Sequence, residues 1–147
     1  MHATALILAA ALFAAADDKP KDDASAKDVK ALQGRWKAVS GVEDGKDFDK
    51  ETAEALELIV EGDKYTLKVK GEELEQGTLK LDAGKKPKAA DIDIAKGEDK
   101  GKKQLGVYEL SGDTFKLCVS RPGKERPKDL SAKKGSGHSL FVFKRAQ

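Results

Sequence analysis

The run Lys64-Tyr65-Thr66-Leu67-Lys68-Val69-Lys70, preceded by Glu61-Gly62-Asp63 and followed by Gly71-Glu72, decides the fold. Tyr65, Leu67 and Val69 alternate with Thr66, Lys68 and Lys70, the two-residue period of a strand with one face buried and the other in water. The glycine turns on either side allow only antiparallel neighbours, because a parallel crossover needs about a dozen residues or more. The same pattern repeats outward in both directions as short runs rich in Val, Ile, Leu, Phe and Tyr, separated by Gly-Asp, Asp-Gly or Lys-Gly turns. It predicts strands at Arg35–Val42, Leu56–Glu61, Lys64–Lys70, Leu74–Asp82, Asp91–Ala95, Gln104–Leu110, Thr114–Ser120 and His138–Arg145. An open sheet of eight such strands leaves two exposed edges, and closure removes them. The expectation is therefore an all-β fold, an eight-stranded antiparallel up-and-down barrel, ahead of a two-sheet sandwich. Both faces of the last strand are apolar, so alternation leaves open whether Phe141 and Phe143 or Leu140 and Val142 face the lumen.

One short helix is predicted before the barrel, about Ala26 to Gln33. Ser25-Ala26-Lys27-Asp28 has capping-box spacing, Gly34 supplies a stop, and Val29 and Leu32 form the only apolar side. Asp49 to Ala55 has helix-forming composition and is expected to make one or two turns across a barrel end, as a lid. Ala83 to Ala90 reads as a Lys-Pro loop. Arg121 to Gly137 is a long connection containing Pro122 and Pro127, and long loops in small domains often carry function.

The N-terminus carries an apolar run, Ala5 to Phe13, then Ala14-Ala15-Ala16 and an abrupt change to Asp17-Asp18. That pattern is the core and cleavage site of a secretory signal, shorter than the roughly 20 apolar residues a membrane span needs. The expected organisation is a signal peptide over residues 1–16, a flexible leader over 17–24 and one domain over 25–147. The mature chain is expected to have no membrane span, to be secreted or periplasmic, and to be a monomer.

The 147 residues suffice for one small domain. Basic and acidic side chains number 28 and 26, too balanced for the one-sided field of a nucleic-acid binder, and no nucleic-acid partner is expected. Cys118 is the single cysteine, so no disulfide braces the domain, and its place in Phe115–Val119 reads as a small strand residue. His138 is the only histidine after the signal. Ser136 and Ser139 flank it without a nucleophile elbow, and sequence neighbours on a strand point apart. Counting from Asp91 and Asp93, Ala95 and Lys96 occupy positions that a calcium loop reserves for a ligand and a glycine. No catalytic residue, metal or cofactor is expected, and the chain is read as a non-enzyme.

Leu32-Gln33-Gly34-Arg35-Trp36 places a Gly-X-Trp at the start of the first strand, just after a short helix, and resembles the opening signature of the lipocalin-like superfamily. The resemblance implies that a basic residue of the last strand, here Arg145, packs across Trp36 to close the barrel base. Further pieces resemble a narrower family, the uncharacterised small exported domains abundant in planctomycete bacteria. They include Asp44-Gly45-Lys46, Gly62-Asp63-Lys64-Tyr65, Lys86-Pro87-Lys88 with Asp91-Ile92-Asp93-Ile94, Tyr108-Glu109-Leu110, Arg126-Pro127 and Gly135-Ser136-Gly137-His138. That resemblance covers about Leu32 to Arg145 and brings no established activity, ligand or site residue.

A binding module for a small or anionic ligand is the leading expectation. The candidate binding residues are the rings Trp36, Tyr65 and Tyr108, the loop and rim residues Arg121, Arg126 and His138, and Arg145. The partner would be a small molecule or a component of the cell envelope. The rival is a structural or protein-interaction domain of the envelope with a filled barrel. A cavity of roughly 300 Å³ or more opening beside the Asp49–Ala55 segment or the Arg121–Gly137 loop separates the two. For the loop itself, the bland alternative is one arginine anchoring it to a carboxylate.

Overall fold

The computed structural model describes residues 23–147, so the expected signal peptide and all but the end of the leader lie outside the described residues. A helix, α1 (residues 23–32), leads into nine strands. They are β1 (Gly34–Glu43), β2 (Lys46–Asp47), β3 (Leu56–Glu61), β4 (Lys64–Val69), β5 (Glu72–Asp82), β6 (Lys88–Lys96), β7 (Lys103–Ser111), β8 (Thr114–Val119) and β9 (Ser139–Arg145), with a short helix α2 (Lys50–Glu54) between β2 and β3. Apart from β2, each strand pairs antiparallel with its sequence neighbour, and β1 also pairs with β9, which closes an eight-stranded barrel. β2 lies outside the ring as a two-residue hairpin on the end of β1.

Two local expectations are corrected and one strand is added. Helix α1 already includes Asp23, so Ser25 lies within it and does not cap it; its hydroxyl instead accepts the Ala83 N–H and ties the helix to the β5–β6 loop. Strand β6 begins at Lys88, inside the expected Lys-Pro loop, because Ala89 and Ala90 are small enough to be fully buried between β5 and β7. The two-residue β2 has no periodicity to announce it, and it forms because the Asp44–Gly45 turn folds the chain back on Val42 and Glu43.

The two ends of the barrel differ. At the floor Trp36 is fully buried, and its Nε1 donates to the Leu32 carbonyl at 2.8 Å. The Arg145 guanidinium lies 4.3 Å from the indole centroid and donates to the carbonyls of Ala31 and Gln33 at the end of α1. The basic partner that the Gly-X-Trp resemblance implies is thus in place. Asp28 of α1 accepts from the Tyr108 hydroxyl and pairs with Lys88, so the helix is fastened across the floor at several points. Above it Phe115 meets Trp36, Tyr108 and Phe143 at centroid distances of 5.9, 6.1 and 6.1 Å. Phe141 and Phe143 are the lumen pair of β9, which decides the alternative that alternation leaves open.

At the opposite end, a bulge in β1 leaves Val39 unpaired and turns Gly41 to the lumen side opposite Phe141. Phe48 lies on Gly41 so closely that any Cβ there would overlap its ring, and it packs against Phe141 at 5.9 Å. Asp49 caps α2 by accepting the Thr52 N–H, and Ala53 is buried. The expected helical turns therefore exist at a barrel end, where Phe48, just ahead of α2, packs over Gly41 and Phe141.

Candidate functional site

Between the packed floor and the mouth is a cavity of about 230 Å³. Its wall is mostly apolar, including Leu67, Leu79, Phe115, Phe141 and Phe143, with Glu43, Glu75, Gln104 and Ser139 as its polar members. The volume is below the 300 Å³ mark and no residue of Asp49–Ala55 or Arg121–Gly137 is on the wall, so the cavity does not meet the expectation for an open ligand site, although the lumen above the floor cluster is not fully packed. A wall of this kind holds an apolar body and presents a few polar groups to orient it.

Strand parity explains the polar groups. Leu79 and Leu81 of β5 point inward, so Gly77 and Glu75 share their side, while Leu74 points out and is 54% exposed. Tyr65 pairs across β4–β5 with Gly77 and lies over it; a Cβ at Gly77 would meet the Tyr65 ring and the Asp93 carbonyl. This position lets the Tyr65 hydroxyl donate to Glu75 Oε1 at 2.7 Å. Burial raises the Glu75 pKa above the ordinary carboxyl value, while the Tyr65 hydrogen bond pulls the other way. Burial, reinforced by the Glu75 bond, likewise raises the Tyr65 phenol above its ordinary value. Gln104 of β7 is held by donation from Nε2 to the Ser120 carbonyl.

The Arg121–Gly137 loop does two different things. Its middle is built in. Arg126 donates to the carbonyls of Ala90 and Gly106 and pairs with Asp91 at 2.6 Å, across the outside of β6 and β7. Beneath it Ala89, Val107, Cys118 and Ala132 are buried outside the barrel core, and the Cys118 thiol donates to the Ser131 carbonyl. Cys118 is thus fully covered, and burial pushes its thiol up to about 11, far from a reactive thiolate. The two ends of the loop form a shallow polar groove with Arg121, Lys124, Ser136 and His138 on its walls. Asp44 accepts the Gly137 N–H there, which lowers its pKa. His138 bonds through its backbone, to Ser136 Oγ and from Asp44, and among the described residues its ring takes no hydrogen bond.

The seven residues singled out in the sequence therefore fall in four places. Trp36, Tyr108 and Arg145 build the floor, Arg126 anchors the loop, Arg121 and His138 line the outer groove, and Tyr65 alone reaches the cavity. Glu75, Gln104 and Ser139 were missed, although the parity of Leu79 and Leu81 places Glu75 inside once extended by two steps. No protein-family model and no curated protein sequence matches the chain.

Proposed function

We propose that this chain is an exported binding module that holds a small, largely apolar molecule in the barrel mouth and does no chemistry on it. The observation that supports this is the cavity of about 230 Å³ above a sealed floor. A packed barrel of this size needs no such space, because eight strands can be filled by their own side chains. The floor is closed by Trp36, Arg145 and α1, and a ligand would reach the cavity from the opposite end, where Glu43, Ser139 and Phe141 are on its wall. The signal-like N-terminus supports export, and the pieces resembling exported planctomycete domains agree with it.

The experiment is native mass spectrometry on the full chain purified from its own host, beside a Leu67→Trp variant that fills the mouth side of the cavity. A small mass carried by the parent, lost on denaturation and absent from the variant, is the expected result. A polypeptide retained equally by both would replace the reading with a protein-interaction domain. A bare parent chain that also takes up no added small molecule would refute it. The mature chain is expected to begin at Asp17.

A further inference from the structure

The cavity wall carries a charge preference that composition alone would not produce. The chain has 28 Lys and Arg residues, yet none lines the cavity, while Glu43 stands at its rim and Glu75 deeper in. Among the described residues Glu75 makes one hydrogen bond, accepted at Oε1 from the Tyr65 hydroxyl, and no ion pair, and it is part of the cavity wall. Asp99, in the loop beyond β6, adds to the negative field at this carboxyl. Half-buried beside Tyr65 and Leu67 with one protein donor, this carboxylate has capacity to accept another. A neutral apolar occupant would desolvate it further, and an anionic one would add like-charge repulsion.

We propose that the cavity selects a small organic cation, a primary or secondary ammonium on an apolar body, with the ammonium donating to the Glu75 carboxylate and the body among Phe115, Phe141 and Phe143. The proposal rests on the binding-module reading above and names its ligand class. Size agrees. A cavity of about 230 Å³ has room for about eight waters at liquid density, enough for one ring with a short arm and too little for a sterol or a long acyl chain. A charge-assisted bond in a low-dielectric site is stronger than a neutral one, so the ammonium contributes selectivity as well as affinity. An ammonium arriving beside Glu75 also offsets the burial that makes its ionised form costly.

The test is calorimetric titration of the full chain near neutral pH with three probes of one shape: 2-phenylethylamine, 2-phenylethanol and phenylacetate. The amine is expected to bind at least tenfold more tightly than the alcohol, and phenylacetate most weakly. Glu75→Gln should bring the amine down to the level of the alcohol and leave the alcohol unchanged, with Trp36 fluorescence confirming the fold. Tyr65→Phe, which keeps the ring and frees the carboxylate, should retain the preference for the amine; this variant carries the test where Glu75→Gln fails to fold. Alcohol binding as tight as amine binding would overturn the cation assignment and leave the binding module standing. Loss of the preference in Tyr65→Phe would do the same. If none of the three probes binds, the cation assignment falls, and the binding module stands or falls on the native mass measurement above.

Discussion

Replacing Arg145 with Met should detach the helix from the barrel floor and do so measurably. Arg145 stacks on the indole of Trp36 at 4.3 Å and sends two N–H donors to the Ala31 and Gln33 carbonyls, which α1 leaves without intrahelical partners. The stacking contributes about 1 kcal/mol. Hydrogen bonds from a charged donor contribute about 1.5 kcal/mol each at the low end of their range. The Arg145 side chain is 34% exposed, so water replaces part of what is lost, and its pair with Asp113, whose side chain is 84% exposed, adds little. A loss of about 2–3 kcal/mol is left for Arg145→Met, which keeps the aliphatic contact with the ring. With a urea dependence of about 2 kcal/mol/M, the midpoint falls by roughly 1–1.5 M. Trp36 is the only tryptophan, so its fluorescence reports the floor directly in urea titrations. Arg145→Lys separates charge from shape. An ammonium cannot stack as a plane and reach two carbonyls at once, so the lysine variant should recover less than half of the loss. Met and Lys variants both melting within about 0.5 kcal/mol of the parent would refute this account of the floor.

Arg126→Met should leave the barrel intact and loosen the loop that covers Cys118, so the thiol, unreactive to an aromatic disulfide reagent in the parent, becomes reactive without urea; equal protection in both proteins would show that Arg126 does not hold the loop. The raised Glu75 carboxyl means that the native chain holds this proton more tightly than the unfolded one, so its contribution to stability falls as pH rises from the ordinary glutamate value through the raised native one. Subtracting the urea midpoints of Glu75→Gln from those of the parent across about pH 4 to 7 should isolate that slope; Asp44 and Asp49, whose pKa values are lowered, act in the opposite sense and cancel in the difference. Phe48→Ala uncovers the mouth above Gly41, so it should admit a bulkier arylalkyl probe than the parent does, while Gly41→Ala, whose Cβ would overlap the ring, should open the mouth at a cost of about 1–3 kcal/mol in stability; unchanged probe size in both would mean that Phe48 does not gate entry.

Strand positions were legible because most strands bury chiefly one face and most of the turns between them are short. Alternation in Tyr65-Thr66-Leu67-Lys68-Val69 and in Asp91-Ile92-Asp93-Ile94 carries the inside–outside assignment within a few residues, and the observed register follows it. The floor was legible in part, through Trp36 and Arg145. What stayed hidden depends on pairs distant in sequence with no period to mark them. Arg126 meets Asp91 across 35 residues, Asp28 meets Tyr108 across 80, and Gly137 meets Asp44 across 93. A positively charged loop looks the same in sequence whether it is solvated, anchored or ligand-binding.

The cavity, by contrast, can be read from the order of residues on the inward parity. Toward the floor those positions hold Trp36, Leu81, Tyr108, Phe115 and Phe143, all large and all buried. Toward the mouth the same strands hold Gly41, Glu75, Gln104 and Ser139, small or polar, with Gly77 flat beneath Tyr65. A side chain such as Leu at Glu75 or Gln104 would extend the packed core upward; with small or polar residues at these positions a space remains, although Leu67, Leu117 and Phe141 still line it. The polarity of Leu74 and Glu75 is reversed from what folding alone favours, with the leucine 54% exposed and the carboxylate turned inward. Moving Leu74 to the lumen would require a one-residue slip of β5, which would also turn Leu79 and Leu81 outward and remove two buried leucines from the core. The register is therefore fixed by the floor end of the strand, and Glu75 is held at the mouth by packing energy spent elsewhere on the same strand.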